Sequence, residues 1–176
     1  AALGALCATF TLAAASTDAE KVLNNPVGAS YSAELPQSNK TALRGSIVAT
    51  TTEGETKDEH VVNFLLSISG LPSEGGPFTY HIHDKPVPAD GNCTGTTGHL
   101  DPFGRGDSPA CDKSKPETCE VGDLSGKHGK INSSAISSQF NDAYVALIPG
   151  NAAYFGNRSF VVHSADKTRL GCANFT

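Results

Sequence analysis

The sequence predicts an all-β domain, and three observations carry that expectation. Its 176 residues include 18 Gly and 10 Pro but no Met or Trp, a composition suited to short strands joined by tight turns. Successive segments rich in β-branched and aromatic residues alternate in part between apolar and polar positions, with polar turns between them. No stretch carries a helical signature, an internal repeat or a linker, and the length suits one domain with a real core.

Taken in order, VGASYSAEL (27–35), LRGSIVATTT (43–52) and HVVNFLLSISGL (60–71) read as strands, and FTYHIHD (78–84) follows the turn residues PSEGGP. From 86 to 125 the pattern gives way to a long loop rich in Gly, Pro and Asp. Loops of that length in a compact domain are usually functional or disordered. Strand-like text resumes in GKINSSAISSQF (129–140), YVALIPG (144–150) and RSFVVHSAD (158–166), and RLGCANF (169–175) closes the run.

The opening AALGALCATFTLAAAS is apolar, with small residues at Ala13 and Ala15, as at the end of a secretory leader. It is too short to span a membrane. It has neither an initiator Met nor a basic start, so residues 1–19 read as the remnant of a signal peptide ahead of a domain at 20–176. Removing the leader removes Cys7 and leaves Cys93, Cys111, Cys119 and Cys172, an even number that permits three pairings. Sequons at Asn39, Asn92, Asn132, Asn157 and Asn174 agree with passage through an oxidising, glycosylating compartment. The expected address is therefore secreted, in the medium or at the cell wall or surface. The net charge of -5, with 13 scattered basic residues, argues against nucleic acid as a partner.

Chemistry enters with His81 and His83. Residues i and i+2 of a strand project from one face roughly 6.6 Å apart, so two imidazoles there can converge on one ion. Taken alone the pair is weak, because surface histidines are common. His99 in the long loop and His163 at the end of the apolar run SFVVH add two more donors. Four imidazoles without thiolate favour copper or zinc, since affinity in the divalent series peaks at copper. His60 and His128 have no matching role and read as exposed bystanders.

Over roughly Val27 to Phe175 these pieces together resemble the copper/zinc superoxide dismutase family. The matching residues are His81-x-His83, then Cys93, then GHLDP with His99, then VGDL at 121–124, then GNRSFVVH ending at His163, then RLGC with Arg169 and Cys172. The resemblance implies a Greek-key antiparallel β-sandwich with a long disulfide-bearing loop, and conversion of superoxide to dioxygen and hydrogen peroxide. It implies copper held by His81, His83, His99 and His163, Arg169 as the active-site arginine, and a Cys93 to Cys172 disulfide. Cys111 and Cys119 then remain to pair with each other.

Departures from the pattern refine the expectation. The loop FGRGDSPACDKSKPETCEVGDL has no histidine for a second metal, and Glu120 stands where the last zinc histidine would be, while Asp123 matches the zinc aspartate. Only SADKT separates His163 from Arg169, in place of a long charged loop. This combination is similar to the secreted fungal copper-only members. It implies one copper and no zinc, an open site, and Glu120 or Asp123 fixing the outer nitrogen of His99. A monomer acting on superoxide, with no spanning segment, is the expected state. The competing expectations are a copper-buffering module and an inactive cell-wall sandwich domain; an intact ligand set with Arg169 argues against both.

Overall fold

Alternating sequence becomes strand in most of the places expected. The computed structural model describes residues 17–37 and 41–176; the leader residues 1–16, with Cys7, and the sequon at Asn39 lie outside the described residues. Two antiparallel sheets form. The first has the order β1-β2-β3-β5, from Ser30–Glu34, Arg44–Glu53, His60–Ser69 and Ile136–Asp142. The second has the order β4-β6-β7, from Thr79–His83, Ser159–His163 and Arg169–Asn174. The chain leaves the first sheet after β3, returns to it for β5 and leaves again, giving the crossing connections of a Greek-key sandwich.

The core lies between the sheets. Val62, Phe64, Leu66 and Ile68 of β3 alternate with the exposed Leu65, Ser67 and Ser69, which sets one face inward by the period of two. Ile47 and Ala49 of β2 join them opposite Tyr80, Ile82, Phe160 and Val162 of the second sheet. The same alternation decides where the site sits: with Tyr80 and Ile82 committed to the core, His81 and His83 must face the other way.

That outer face is covered by the long loop, and for this reason every residue of β6 is buried. The edge of β4 is paired by two pieces of the loop rather than by a strand. Leu100 N–H donates to Ile82 O (2.9 Å), Ile82 N–H to Gly122 O (2.9 Å), and Gly122 N–H to Leu100 O (2.8 Å). A Cβ at Gly122 would lie 2.2 Å from Ile82 O, so glycine alone permits this approach. The pairing fixes His99 and Glu120, on either side of it, against β4. The structure pairs Cys93 with Cys172 and Cys111 with Cys119.

Two expectations need correction. Leu124–His128, which begins inside the loop read over 86–125 and carried no helical signature, is a short helix, α1. Asp123 caps it by accepting the Gly126 N–H (2.7 Å), and Lys127 and His128 occupy its last turn, where cations suit the dipole. YVALIPG forms no strand: Ala146 N–H is taken by Ala153 O and Leu147 N–H by the Asn25 side chain, which leaves no ladder to join. Residues 17–19, the described end of the segment 1–19, lie against the β-sandwich. Ala19 is buried, its N–H donates to Glu117 O (2.7 Å), and Thr17 N–H donates to Phe103 O (3.3 Å).

Candidate metal centre

β4 supplies His81 and His83, the loop supplies His99, and β6 supplies His163. Backbone register opposes His163 to Thr79 on one side and to Arg169 on the other, and a bulge between Val162 and His163 marks the point. One nitrogen from each imidazole lies within 4.8 Å of the others, and three of the four rings are buried. Among the described residues this is the one such group of possible metal donors.

The hydrogen bonds decide which nitrogen faces inward. His83 Nδ1–H donates to Thr97 O (2.9 Å) and His163 Nδ1–H to Lys167 O (3.2 Å), since a carbonyl only accepts. His99 Nδ1 is bonded to the Glu120 carboxylate. His81 reverses the pattern: its Nε2 meets Ser125 Oγ (3.1 Å) and Asp123 Oδ1 (3.4 Å), while its Nδ1 is buried without a partner. Each ring thus has its outer nitrogen engaged by oxygen. Nδ1 of His81 and Nε2 of His83, His99 and His163 remain for the shared centre.

These inner nitrogens suit a soft-to-borderline cation. With both Nδ1 atoms donating outward, His83 Nε2 and His163 Nε2 direct lone pairs at each other across 3.1 Å, a repulsive contact that a cation between them converts into attraction. Protons are kept off. Burial, ahead of repulsion from neighbouring cations, holds His81 below the ordinary imidazole value, His83 at about 2 and His163 at about 4. Four converging imidazoles, one with an orphaned nitrogen, are the donor set expected for copper.

Two acids flank the cluster. Burial would raise the Asp123 carboxyl, but the hydrogen bond from His81, ahead of that from the Gly126 N–H, brings it to about 2. The Glu120 side chain is 11% exposed, and its position on His99 Nδ1 leaves no room there for a second metal ion of the kind a bridging imidazole would share.

Arg169 sits beside His83. Its guanidinium donates to Cys93 O, to Thr96 Oγ1 (2.9 Å) and to Thr97 O (2.5 Å), and no carboxylate forms an ion pair with it among the described residues. A fixed, acid-free guanidinium next to a metal cluster is a site for a small anion. The Cys93 to Cys172 bridge secures the carbonyl platform beneath it. All four histidines and Arg169 line one cleft of about 760 Å³, whose rim carries Lys113, Lys130 and Lys167. The turn from Ser164 to Thr168 closes on itself through Ser164 N–H to Thr168 O (3.0 Å), and its Lys167 pairs with Asp107 at the cleft (2.9 Å).

Sequence reasoning missed Thr96 and Thr97, which hold both His83 and Arg169, and Ser125. Nothing in their spacing announces them, although Asp123 followed by Gly126 and Gly129 is a capping pattern that could have revealed α1. His128 is not an exposed bystander: it donates to the buried Asp142 (2.8 Å) and stacks on Phe140. His60 is half-buried at the start of β3 and takes no part in the cluster.

Comparison with known proteins places this geometry. Residues 43–171 match the family model described as copper/zinc superoxide dismutase. The cell surface Cu-only superoxide dismutase of Arthroderma benhamiae is 42% identical over 195 residues, covering 95% of this chain and 51% of that protein. The cell surface Cu-only superoxide dismutase 5 of Candida albicans is 36% identical over 171 residues, covering 97% of this chain and 70% of the relative. The solved Cu(II) structure of Candida albicans superoxide dismutase 5 superposes with a TM-score of 0.75 at 37% identity, over 85% of this chain and 92% of that one. The chain spans about half the length of the first of these curated relatives.

Proposed function

Because the chain belongs to the copper/zinc superoxide dismutase family, we propose that it is a copper-only superoxide dismutase working outside the cell. The observation that carries this is the convergence of four imidazoles, with His81 Nδ1 left without a partner, beside an arginine that no acid among the described residues neutralises. His81, His83, His99 and His163 hold the ion. The chemistry copper supplies when bound is one-electron cycling, by which two superoxide anions and two protons become dioxygen and hydrogen peroxide.

The protein's own residues do the rest. Arg169 attracts superoxide and orients it at the mouth of the cluster, since a guanidinium stays charged at any physiological pH. His99 carries a proton between solvent and product, and Glu120, bonded to its Nδ1, orients the ring. The open cleft leaves approach limited by diffusion and local charge rather than by a gate. A copper-buffering role would need the histidines but not Arg169 in its acid-free setting.

Location and state follow the same reading. The matched relatives are named as cell surface proteins, and two disulfides suit an oxidising compartment. A secretory leader within residues 1–19, ahead of the dismutase-like domain, fits this reading. Asn92, Asn132, Asn157 and Asn174 are exposed and accessible to glycan. Val27 and Leu65 are the large apolar side chains exposed among the described residues, and two isolated positions do not make an interface, which supports a monomer. No helix among the described residues is long and apolar enough to cross a membrane.

Two variants test the roles. Glu120→Gln keeps the size of the side chain and removes its charge, so copper should still bind while turnover falls about 10 to 100-fold, the usual scale for an outer partner of a metal-bound histidine. Full activity across the pH range would show that Glu120 has no such role; Asp123, which meets His81 rather than His99, does not stand in for it. Arg169→Ala should lower the second-order rate with superoxide about 10-fold or more and weaken inhibition by small anions, with the copper spectrum unchanged. An unaltered rate would leave the anion without its proposed partner.

A further inference from the structure

We propose that Ser125 is a positioning residue for His81, its hydroxyl meeting both the imidazole and Asp123 and fixing the ring with Nδ1 turned to the metal centre. This rests on the reading that the four histidines hold copper. Ser125 is 1% exposed, and its Oγ lies 3.1 Å from His81 Nε2, closer than Asp123 Oδ1 at 3.4 Å. The same Oγ lies 3.3 Å from Asp123 Oδ1.

Proton count fixes the direction of the chain. The Asp123 carboxylate only accepts, so the single hydroxyl proton of Ser125 goes to it. The lone pair of Oγ is then free to accept Nε2–H, which holds His81 in the tautomer whose Nδ1 bears a lone pair. His81 is the one ligand ring whose Nδ1 faces the centre, and its outer nitrogen meets both the Ser125 hydroxyl and, at a longer distance, the Asp123 carboxylate.

The helix that carries Ser125 is pinned from its other side. Lys127 Nζ donates to Val121 O (2.9 Å) and pairs with Asp142 (2.6 Å) on β5, with both side chains shut away from water. Asp123 caps the same helix through Gly126 N–H. A five-residue helix has little rigidity of its own, so these ties decide where the hydroxyl stands.

The test uses the full chain with Ser125→Ala and Ser125→Thr. Copper affinity by chelator competition, the Cu(II) paramagnetic resonance spectrum and melting of the metal-free protein are the readouts. Ser125→Ala should bind copper about 10 to 100-fold more weakly, with a changed copper hyperfine coupling and an unchanged metal-free melting temperature. Ser125→Thr, which keeps the hydroxyl, should recover most of the affinity and the wild-type spectrum. Wild-type affinity and spectrum in Ser125→Ala would overturn the proposal while leaving copper binding intact; a wild-type chain that bound no copper would overturn both. Should the variants not fold, nitrogen-15 spectra of the wild-type copper(I) form decide it: a slowly exchanging proton on His81 Nε2 is expected, and a proton on Nδ1, or free exchange at Nε2, would refute the role.

Discussion

Lys127→Met should destabilise the folded chain by about 3 to 5 kcal/mol, because it strands a buried carboxylate. Lys127 Nζ and Asp142 Oδ2 lie 2.6 Å apart with side-chain exposures of 1% and 0%. Asp142 also accepts from His128 and from the Tyr144 N–H (2.8 Å), so its two oxygens are fully used only while both cations are present. Replacing the pair together, as Lys127→Met with Asp142→Leu, should recover much of the loss, since removing both charges lifts the desolvation cost along with the attraction. Denaturant midpoints of the single and double variants measure the difference, and equal losses in both would show that the charges do not act as a pair.

The same carboxyl dictates an acid response. Burial pushes Asp142 up, but Lys127 and His128 outweigh it and hold the group well below the ordinary carboxylate value of 3.8. A depressed folded value means that its stabilisation is fully present above the unfolded value, about pH 4, and is lost as pH falls below it. The wild-type melting temperature should therefore drop below about pH 4, and the double variant should show a shallower drop over that window.

Replacing Cys93 and Cys172 by Ala should cost about 4.5 kcal/mol, the chain-entropy value for closing a loop of this length, since the bridge spans a sequence separation of 79. The effect should not stop at stability. Cys93 O accepts from Arg169, and the turn Cys93–Thr96 that follows carries Thr96, which bonds both Arg169 and His83. The folded remainder should keep copper on its four histidines but react with superoxide more slowly, as Arg169→Ala does. A variant with wild-type stability and rate would show that β7 and the loop are held together by other contacts.

Much of this site was legible because its signals are local. His81 and His83 share a face by the period of two, and Tyr80 and Ile82 between them settle which face is the core. His99 and His163 come with short motifs that carry a family resemblance, and the Glu120 exchange is visible as one letter in the segment before VGDL. What escaped depends on groups far apart in sequence. Ser125 reaches His81 across 44 positions, and Arg169 reaches Thr96 across 73, so neither has a periodic signature. The buried Lys127 looked like a loop lysine, because its partner Asp142 lies beyond a strand turn and only packing reveals that both are sealed. YVALIPG misled because most of its apolar residues are buried as a strand's would be, yet its backbone bonds to Ala153 and to the distant Asn25 side chain rather than to a strand.

The central claim is a single histidine-bound copper with a carboxylate in place of a second metal, and metal analysis of the purified chain tests it most directly. After reconstitution with copper and zinc together and removal of loosely held ions, the account predicts one copper per chain and no stoichiometric zinc, because Glu120 occupies the outer nitrogen of His99. Near-equal copper and zinc would contradict it.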